Sequence, residues 1–226
     1  MSIDPSRTVA ELVLEQPSRT RVFEHFGLDY CCGGKRSLAD ACARRGVELD
    51  EAVAALDAAD GPGRESDDWT LAPLDRLVDH IVDAHHGFLR TELPRLSELL
   101  AKCERAHGTE RPDLVPMRAT FEALRRELEH HMLDEEQRLF PVCVNGGGPE
   151  PALVRHLEDE HGAAGEMLER LRILGGDYEL ETALCNTHRA ALDGLRELEL
   201  DLHQHIHEEN NILFPRVAAR AAAPDS

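Results

Sequence analysis

The sequence lacks the features of a nucleic-acid-binding or membrane protein. Lys and Arg total 25 against 44 Asp and Glu, giving a formal charge of −19. A surface this acidic repels phosphate backbones and anionic lipid. No stretch approaches the ~18 consecutive apolar residues that a membrane span needs. We therefore expect no nucleic-acid partner and no membrane partner.

The sequence also lacks the pattern of a disulfide-rich secreted protein. It has six cysteines, of which two are adjacent and four are scattered. Such spacing in a chain of 226 residues does not form a disulfide framework. No basic leader followed by an apolar run precedes the first helical pattern. Reduced thiols and the absence of a leader predict a cytoplasmic protein.

Apolar periodicity stops between Asp57 and Asp68, where glycine, proline and charged residues gather. This composition is typical of a linker. We predict a small helical domain at 1–58, a linker at 59–69, a larger helical domain at 70–220 and a tail at 221–226. The candidate helix N-caps of the small domain are Thr8, Ser18, Ser37 and Asp50.

Four long segments of the larger domain carry helical periodicity, at about 73–106, 113–143, 150–175 and 178–220. In the first, leucine, isoleucine and valine recur three and four residues apart, as on one face of a helix. No alternating pattern predicts a strand. The sequence therefore predicts an all-α protein with an up-down four-helix bundle.

A motif of histidine, glutamate and a Leu-Phe-Pro stop occurs twice. The copies are His131-x3-Glu135-x3-Leu139-Phe140-Pro141 and His205-x3-Glu209-x3-Leu213-Phe214-Pro215. Their offset is 205 − 131 = 74, and a lone histidine precedes each copy at a matching interval, 161 − 86 = 75. Each half of the bundle thus contributes one single histidine and one His-x3-Glu helix.

Residues four apart on a helix share a face, so each histidine and its glutamate can approach one site. An imidazole gives a metal one nitrogen, whereas a carboxylate offers two oxygens and can bridge two metals. Zinc prefers four ligands and often sulfur, whereas this set has six nitrogen and oxygen ligands. The pattern predicts a di-iron site, with manganese as the next choice of metal.

Periodicity does not choose between His85 and His86, because both lie near the apolar stripe of the first bundle helix. The repeat selects His131 and His205 over their neighbours, since only these two have a glutamate four residues later. The neighbouring histidines are interpreted as solvated or as lying behind the ligands. They are His130, His203 and His207.

These motifs resemble the hemerythrin superfamily. The segment Asp29-Tyr30-Cys31-Cys32-Gly33-Gly34-Lys35 narrows the resemblance to the bacterial repair-of-iron-centres family, from about Thr8 to about Arg216. That family repairs iron–sulfur clusters damaged by nitrosative or oxidative stress. The resemblance implies a hemerythrin-like bundle holding two iron ions per chain and iron–sulfur proteins as clients. Its implied ligands are His86, His131, Glu135, His161, His205 and Glu209.

The resemblance also implies further roles. Glu127 and Glu160 match carboxylates near the metal, and Cys31 and Cys32 would serve the repair chemistry. The glycine-rich turn that carries Cys31 and Cys32 bends freely, and the nearby Lys35 and Arg36 would favour a thiolate on these cysteines. Tyr30 is expected to pack this turn. The other cysteines, predicted to be small buried residues, are Cys42, Cys103, Cys143 and Cys185.

Three hypotheses share the same ligands. In the first, iron from the bundle rebuilds a damaged cluster with help from the thiol pair. In the second, the chain is an enzyme that reduces NO to nitrous oxide. In the third, it binds O2 or NO reversibly as a sensor. The sequence leaves open whether the chain is an enzyme, and a homodimer pairing one chain's cysteines with another's bundle is compatible with it.

Overall fold

The structure, a computed structural model, describes residues 3–31, 33–59 and 69–222. These residues form helices, turns and loops without a β-strand, and one isolated bridge joins Thr8 and Ser37. The all-α prediction is confirmed. Most of the predicted linker, residues 60–68, lies outside the described residues. The chain divides into two compact units, Met1–Leu77 with His203–Ser226, and Val78–Leu202.

The N-terminal part of the first unit contains four short helices: α1 (Val9–Glu15), α2 (Thr20–Phe26), α3 (Leu38–Arg45) and α4 (Leu49–Ala59). Their inner faces form a core around Phe23, Tyr30 and Leu38, all fully buried.

Side chains begin two of these helices as predicted. The Thr8 hydroxyl accepts from Glu11 N at 3.2 Å, and the Ser37 hydroxyl accepts from Asp40 N at 3.1 Å. The other two cap predictions are wrong. Ser18 lies inside a 3₁₀ turn, Pro17–Arg19, and Asp50 lies in the first turn of α4, which begins at Leu49.

The second unit is built from the long helices. These are α6 (Gly87–His107), α7 (Leu114–Asp134), α9 (Pro151–Leu174) and most of α10 (Asn186–His207), with the short helix α8 (Phe140–Val144) and the end of α5 (Leu74–His80). The helix α11 (Phe214–Ala222) belongs to the first unit. The four long helices, α6, α7, α9 and α10, bury one continuous apolar core. Its members include Leu96, Phe121, Leu168 and Leu195. This is the predicted arrangement of four long helices around a shared core.

The fourth long helix begins at Asn186, later than the predicted 178. Three successive residues, Gly176, Asp177 and Tyr178, have positive φ angles of 58°, 53° and 58°. A left-handed backbone cannot continue a right-handed helix. The chain therefore makes short 3₁₀ turns at Gly176–Tyr178 and Leu180–Thr182 before α10 starts.

Three helical junctions contain π-helical turns, at Ile81–His86, Glu135–Leu139 and Glu208–Leu213. A π turn adds a residue to a helical turn, rotates the side chains that follow, and occurs often at functional sites. Each of these turns contains a predicted ligand: His86, Glu135 or Glu209. The apolar repeat alone does not reveal this shift of register.

In the part of the chain that the structure describes, no helix has both the length and the apolar character needed to cross a bilayer.

Candidate metal centre

Within Val78–Leu202, a buried carboxylate lies between two imidazoles. Glu135 Oε2 is 3.3 Å from His86 Nε2, and Glu135 Oε1 is 3.3 Å from His131 Nε2. Glu135 and His86 are fully buried, and His131 is 3% exposed. Each carboxylate oxygen thus faces a different histidine.

His161 joins this group from α9. Its Nε2 atom lies 2.9 Å from His131 Nε2, and the two ring centroids are 4.6 Å apart. His131, Glu135 and His161 each offer a ligand atom within 4.8 Å of the other two. Two imidazole nitrogens about 3 Å apart match neighbouring ligands of one metal ion with bonds of about 2.1 Å.

Carboxylates hold the opposite nitrogen of two of these histidines. Glu136 Oε1 lies 2.6 Å from His86 Nδ1, and Glu160 Oε2 lies 2.8 Å from His131 Nδ1. A hydrogen bond from Nδ1–H to a carboxylate leaves the Nε2 lone pair for a metal and orients the ring. Both histidines are therefore held with Nε2 toward Glu135.

The pKa values of both carboxylates reflect these contacts. The hydrogen bond from His131 is the main reason that the pKa of Glu160 lies below its usual value. Burial acts to raise the pKa of Glu136, but hydrogen bonds from His86 and Arg90 outweigh it and lower that pKa. Both groups therefore stay ionised near neutral pH, as acceptors of an Nδ1–H hydrogen bond must.

The second His-x3-Glu pair lies in the other unit, around the junction of α10 and its π turn. His205 Nε2 is 3.1 Å from Glu209 Oε1, and both side chains are almost completely buried. This repeats the contact between His131 and Glu135, four residues apart, that the sequence predicts.

Sequence reasoning missed Glu136 and could not place Glu127. Glu136 is 50 residues from its partner His86 and lies in the π turn that begins at Glu135. The available signal in the sequence was that Glu136 directly follows the predicted ligand Glu135. Glu127 is exposed on α7, so a role near the metal remains a prediction for it.

The donor set fits iron. Glu135 is fully buried beside imidazoles, and a buried carboxylate is costly unless positive charge compensates it. Divalent metal ions between these groups would supply that charge. Imidazole nitrogen with carboxylate oxygen suits iron, and no cysteine belongs to this set among the described residues.

Of the neighbouring histidines, His130 is exposed, as interpreted. His207 is buried, which excludes the solvated alternative and leaves a place behind the ligands as the prediction, and burial lowers its pKa to about 4. Its ring lies edge-on to Tyr30 at 5.6 Å, and the His203 ring contacts Tyr30 at 5.9 Å. His85 is buried beside His86.

Hydrogen bonds to Asp29 hold the turn that carries Cys31. Asp29 accepts hydrogen bonds from the Cys31 backbone at 3.1 Å, from Cys31 Sγ at 3.3 Å and from Gly33 N at 2.8 Å. Lys35 and Arg36 are exposed. That Lys35 and Arg36 favour a thiolate at Cys31 stays a prediction, and the structure adds a carboxylate, Asp29, that accepts from this thiol. Cys32 lies outside the described residues.

Tyr30 and the scattered cysteines are mostly buried. Tyr30 is fully buried and donates to Glu24 at 3.0 Å, so it packs the turn as predicted. Three of the scattered cysteines are buried, and Cys185 is half-buried. Burial is also the main reason that the pKa of Cys103 rises to about 11.

A side chain at Gly34 is expected to destabilise the thiol turn. A Cβ atom there would lie 2.6 Å from the Tyr30 carbonyl oxygen, which is backbone, whereas at Gly33 it would meet side-chain atoms of Arg36 and Asp29. We expect Gly34→Ala to lower the free energy of unfolding by about 1–3 kcal/mol, measured by urea denaturation. Gly162→Ala, on a helix with open space around it, is the control and should be neutral or stabilising. Equal stability of the two variants would contradict this close approach.

Removing a carboxylate behind a ligand should weaken metal binding without removing a ligand. We expect Glu160→Gln or Glu136→Gln to lower iron affinity about 10–100-fold, measured by competition with a chelator. Glu166→Gln, an exposed position on the same helix as Glu160, should leave affinity unchanged. Glu127→Gln, measured in the same series, tests the prediction that Glu127 has a role near the metal. Unchanged affinity in both Glu160→Gln and Glu136→Gln would show that these contacts do not orient the histidines.

The comparisons with known proteins agree with this geometry. Residues 77–217 match the family described as the hemerythrin HHE cation binding domain. Residues 5–60 match a second family, described as a domain of unknown function (DUF542). The fold and the histidine–glutamate set thus define a hemerythrin-like cation-binding protein, as predicted.

Relatives extend the match to nearly the whole chain. An iron–sulfur cluster repair protein YtfE from Yersinia pseudotuberculosis serotype IB (strain PB1/+) is 36% identical over 214 residues, covering 93% of this chain and 96% of its own. The protein of the same name from Edwardsiella ictaluri (strain 93-146) is 37% identical over 211 residues, with the same coverage. The chain belongs to this family of iron–sulfur cluster repair proteins.

Proposed function

We propose that this chain repairs iron–sulfur clusters of client proteins damaged by nitrosative or oxidative stress. The observation that carries the proposal is the match over 93% of the chain to proteins named for cluster repair. That match includes both the bundle and the turn with Cys31 and Cys32. A binding module for a gas alone would have no evident use for the thiol turn.

The proposed metal centre holds two iron ions on His86, His131, Glu135, His161, His205 and Glu209. The hemerythrin match at 77–217 spans both His-x3-Glu pairs, which supports assigning them to one centre. Glu135 supports it further, because its two oxygens face different histidines at 3.3 Å. By the same repeat, Glu209 would be the second bridging carboxylate.

Bound iron would supply redox chemistry and a position for a small ligand such as NO or O2, and it is also the cargo of repair. The surrounding residues control its retention. Glu160 holds His131 at 2.8 Å and also lies 3.2 Å from His156, whose side chain is 55% exposed. This chain of polar groups connects a buried ligand to solvent. Protonation of Glu160 along it would weaken the hydrogen bond that orients His131, would lower the basicity of that ligand and would help iron to leave for a client.

The decisive experiment gives the iron-loaded chain a client enzyme whose cluster has been nitrosylated. The proposal predicts that client activity returns in proportion to iron lost from the chain. Head-space nitrous oxide is measured in parallel. Nitrous oxide at catalytic turnover without client recovery would favour the NO reductase hypothesis, and reversible NO binding with neither result would favour the sensor.

A cytoplasmic location and a homodimer belong to the same proposal. Light scattering on the iron-loaded chain determines the oligomeric state. Mixing a His131→Ala chain with a Cys31→Ser/Cys32→Ser chain tests whether the cysteines of one subunit serve the bundle of another. Recovery of repair in the mixture would support that arrangement, and no recovery would contradict it.

A further inference from the structure

Two further histidines, His80 and His85, lie near the proposed ligand His86 in the sequence, within Val78–Leu202. His80 and His85 offer nitrogen atoms within 4.8 Å of each other, and their rings are 5.4 Å apart at 87°. Neither residue belongs to the proposed ligand set. The family resemblance assigns them no role.

The π turn explains why these two side chains meet. Residues five apart in an α-helix point about 140° away from each other, at 100° per residue. A π turn closes its hydrogen bonds over five residues and places such positions on one side. His80 ends α5, and the π turn Ile81–His86 follows it. The turn therefore places His85 against His80 while adjacent His86 faces Glu135.

Asp201 holds His85 in the state that a metal ligand needs. Its Oδ1 atom lies 2.9 Å from His85 Nδ1. With the Nδ1 proton donated to this carboxylate, the lone pair of His85 is on Nε2. The Nε2 atoms of both His80 and His85 are shielded from solvent. The same carboxylate arrangement, His86 with Glu136 and His131 with Glu160, orients two ligands of the proposed centre.

We propose that His80 and His85 form a second, mononuclear site for a divalent first-row metal ion, Fe2+ in the cell, with Asp201 as the positioning residue. Imidazole nitrogen suits iron, and two such ligands leave further positions to water. His80 is half-buried, whereas His85 and His86 are buried. The second site thus lies between the surface and the main centre. Iron that enters or leaves the main centre would bind at His80 and His85 on the way. This transfer role rests on the proposed function, but the binding site itself does not.

Binding is tested on the full chain, already loaded with iron, by anaerobic equilibrium dialysis against Fe2+ with elemental analysis. We expect the wild type to hold one more equivalent than His80→Gln or His85→Gln. Asp201→Asn should lower the affinity of that equivalent about 10–100-fold. The matched control is His25→Gln, at an exposed histidine of the small domain, and it should bind like the wild type. Equal metal content in the wild type and His80→Gln would show that His80, His85 and Asp201 form a structural contact only.

The transfer role has its own readout. We expect the rate at which the metal-free chain takes up Fe2+ to fall several-fold in His80→Gln, with the final content of the main centre unchanged. If His80→Gln loses the extra equivalent of iron but takes up iron at the wild-type rate, the transfer role is overturned and the binding site is still supported. The binding test compares the metal content of the wild type with that of His80→Gln, so its result does not depend on how much iron the main centre holds. A wild type whose main centre holds less than two irons would instead contradict the proposed function.

Discussion

Replacing His131 with alanine is expected to remove at least one of two bound irons and to lower the free energy of unfolding by about 3–5 kcal/mol. The imidazole contacts Glu135 at 3.3 Å and His161 at 2.9 Å. Its loss leaves a fully buried carboxylate with one fewer compensating group and removes metal stabilisation of the folded state. Elemental analysis and urea denaturation of freshly isolated protein measure the two effects. His205→Ala, at the repeat position, should behave in the same way.

His130→Ala is the matched control for this experiment. It removes an identical side chain from the adjacent position of the same helix, but His130 is exposed. We expect unchanged iron content and a change in stability within about 0.5 kcal/mol. Retention of two irons in both His131→Ala and His205→Ala would show that the ligand assignment is wrong.

The Cys31→Ser/Cys32→Ser variant is expected to lose on the order of tenfold in the rate of client repair, about 1.4 kcal/mol in activation free energy, while keeping its iron. The thiol of Cys31 is fixed on a turn held by Asp29 and is separate in sequence from every predicted ligand. Serine preserves size and hydrogen bonding but removes sulfur chemistry. Client recovery and iron content are followed in the same preparation.

Cys185→Ser is the matched control, because Cys185 is half-buried and belongs to the scattered cysteines. It should repair clients at the wild-type rate. Unchanged repair by the Cys31→Ser/Cys32→Ser variant would remove the thiols from the mechanism. Loss of both iron and repair would instead assign them a structural role.

Much of the fold follows from local sequence. The three- and four-residue apolar spacing predicts the long helices, and the short polar side chains of Thr8 and Ser37 start α1 and α3 as predicted. The late start of α10 was not predictable, because left-handed backbone at Asp177 and Tyr178 has no strong residue signal. The repeat supplied His131, Glu135, His205 and Glu209, since a duplicated spacing does not depend on exact helix register.

The rest of the site depends on register and on distant partners. The periodicity of an ideal α-helix does not decide which of His85 and His86 is the ligand. In the π turn both are buried, and they contact different carboxylates, Asp201 and Glu136. These partners lie 116 and 50 residues away, beyond the reach of any local pattern. The role of Asp29 was missed although it lies only two residues from Cys31. The charge of Lys35 and Arg36 predicts a thiolate, and the structure adds Asp29 as an acceptor of a hydrogen bond from Cys31 Sγ.

Iron K-edge X-ray absorption on freshly isolated, iron-loaded protein tests the central claim most directly. If the duplicated His-x3-Glu pairs and the two single histidines hold two irons together, the spectrum will show only nitrogen and oxygen neighbours and scattering from a second iron atom. Sulfur among the nearest neighbours, or iron without a second iron nearby, would contradict this account of the centre.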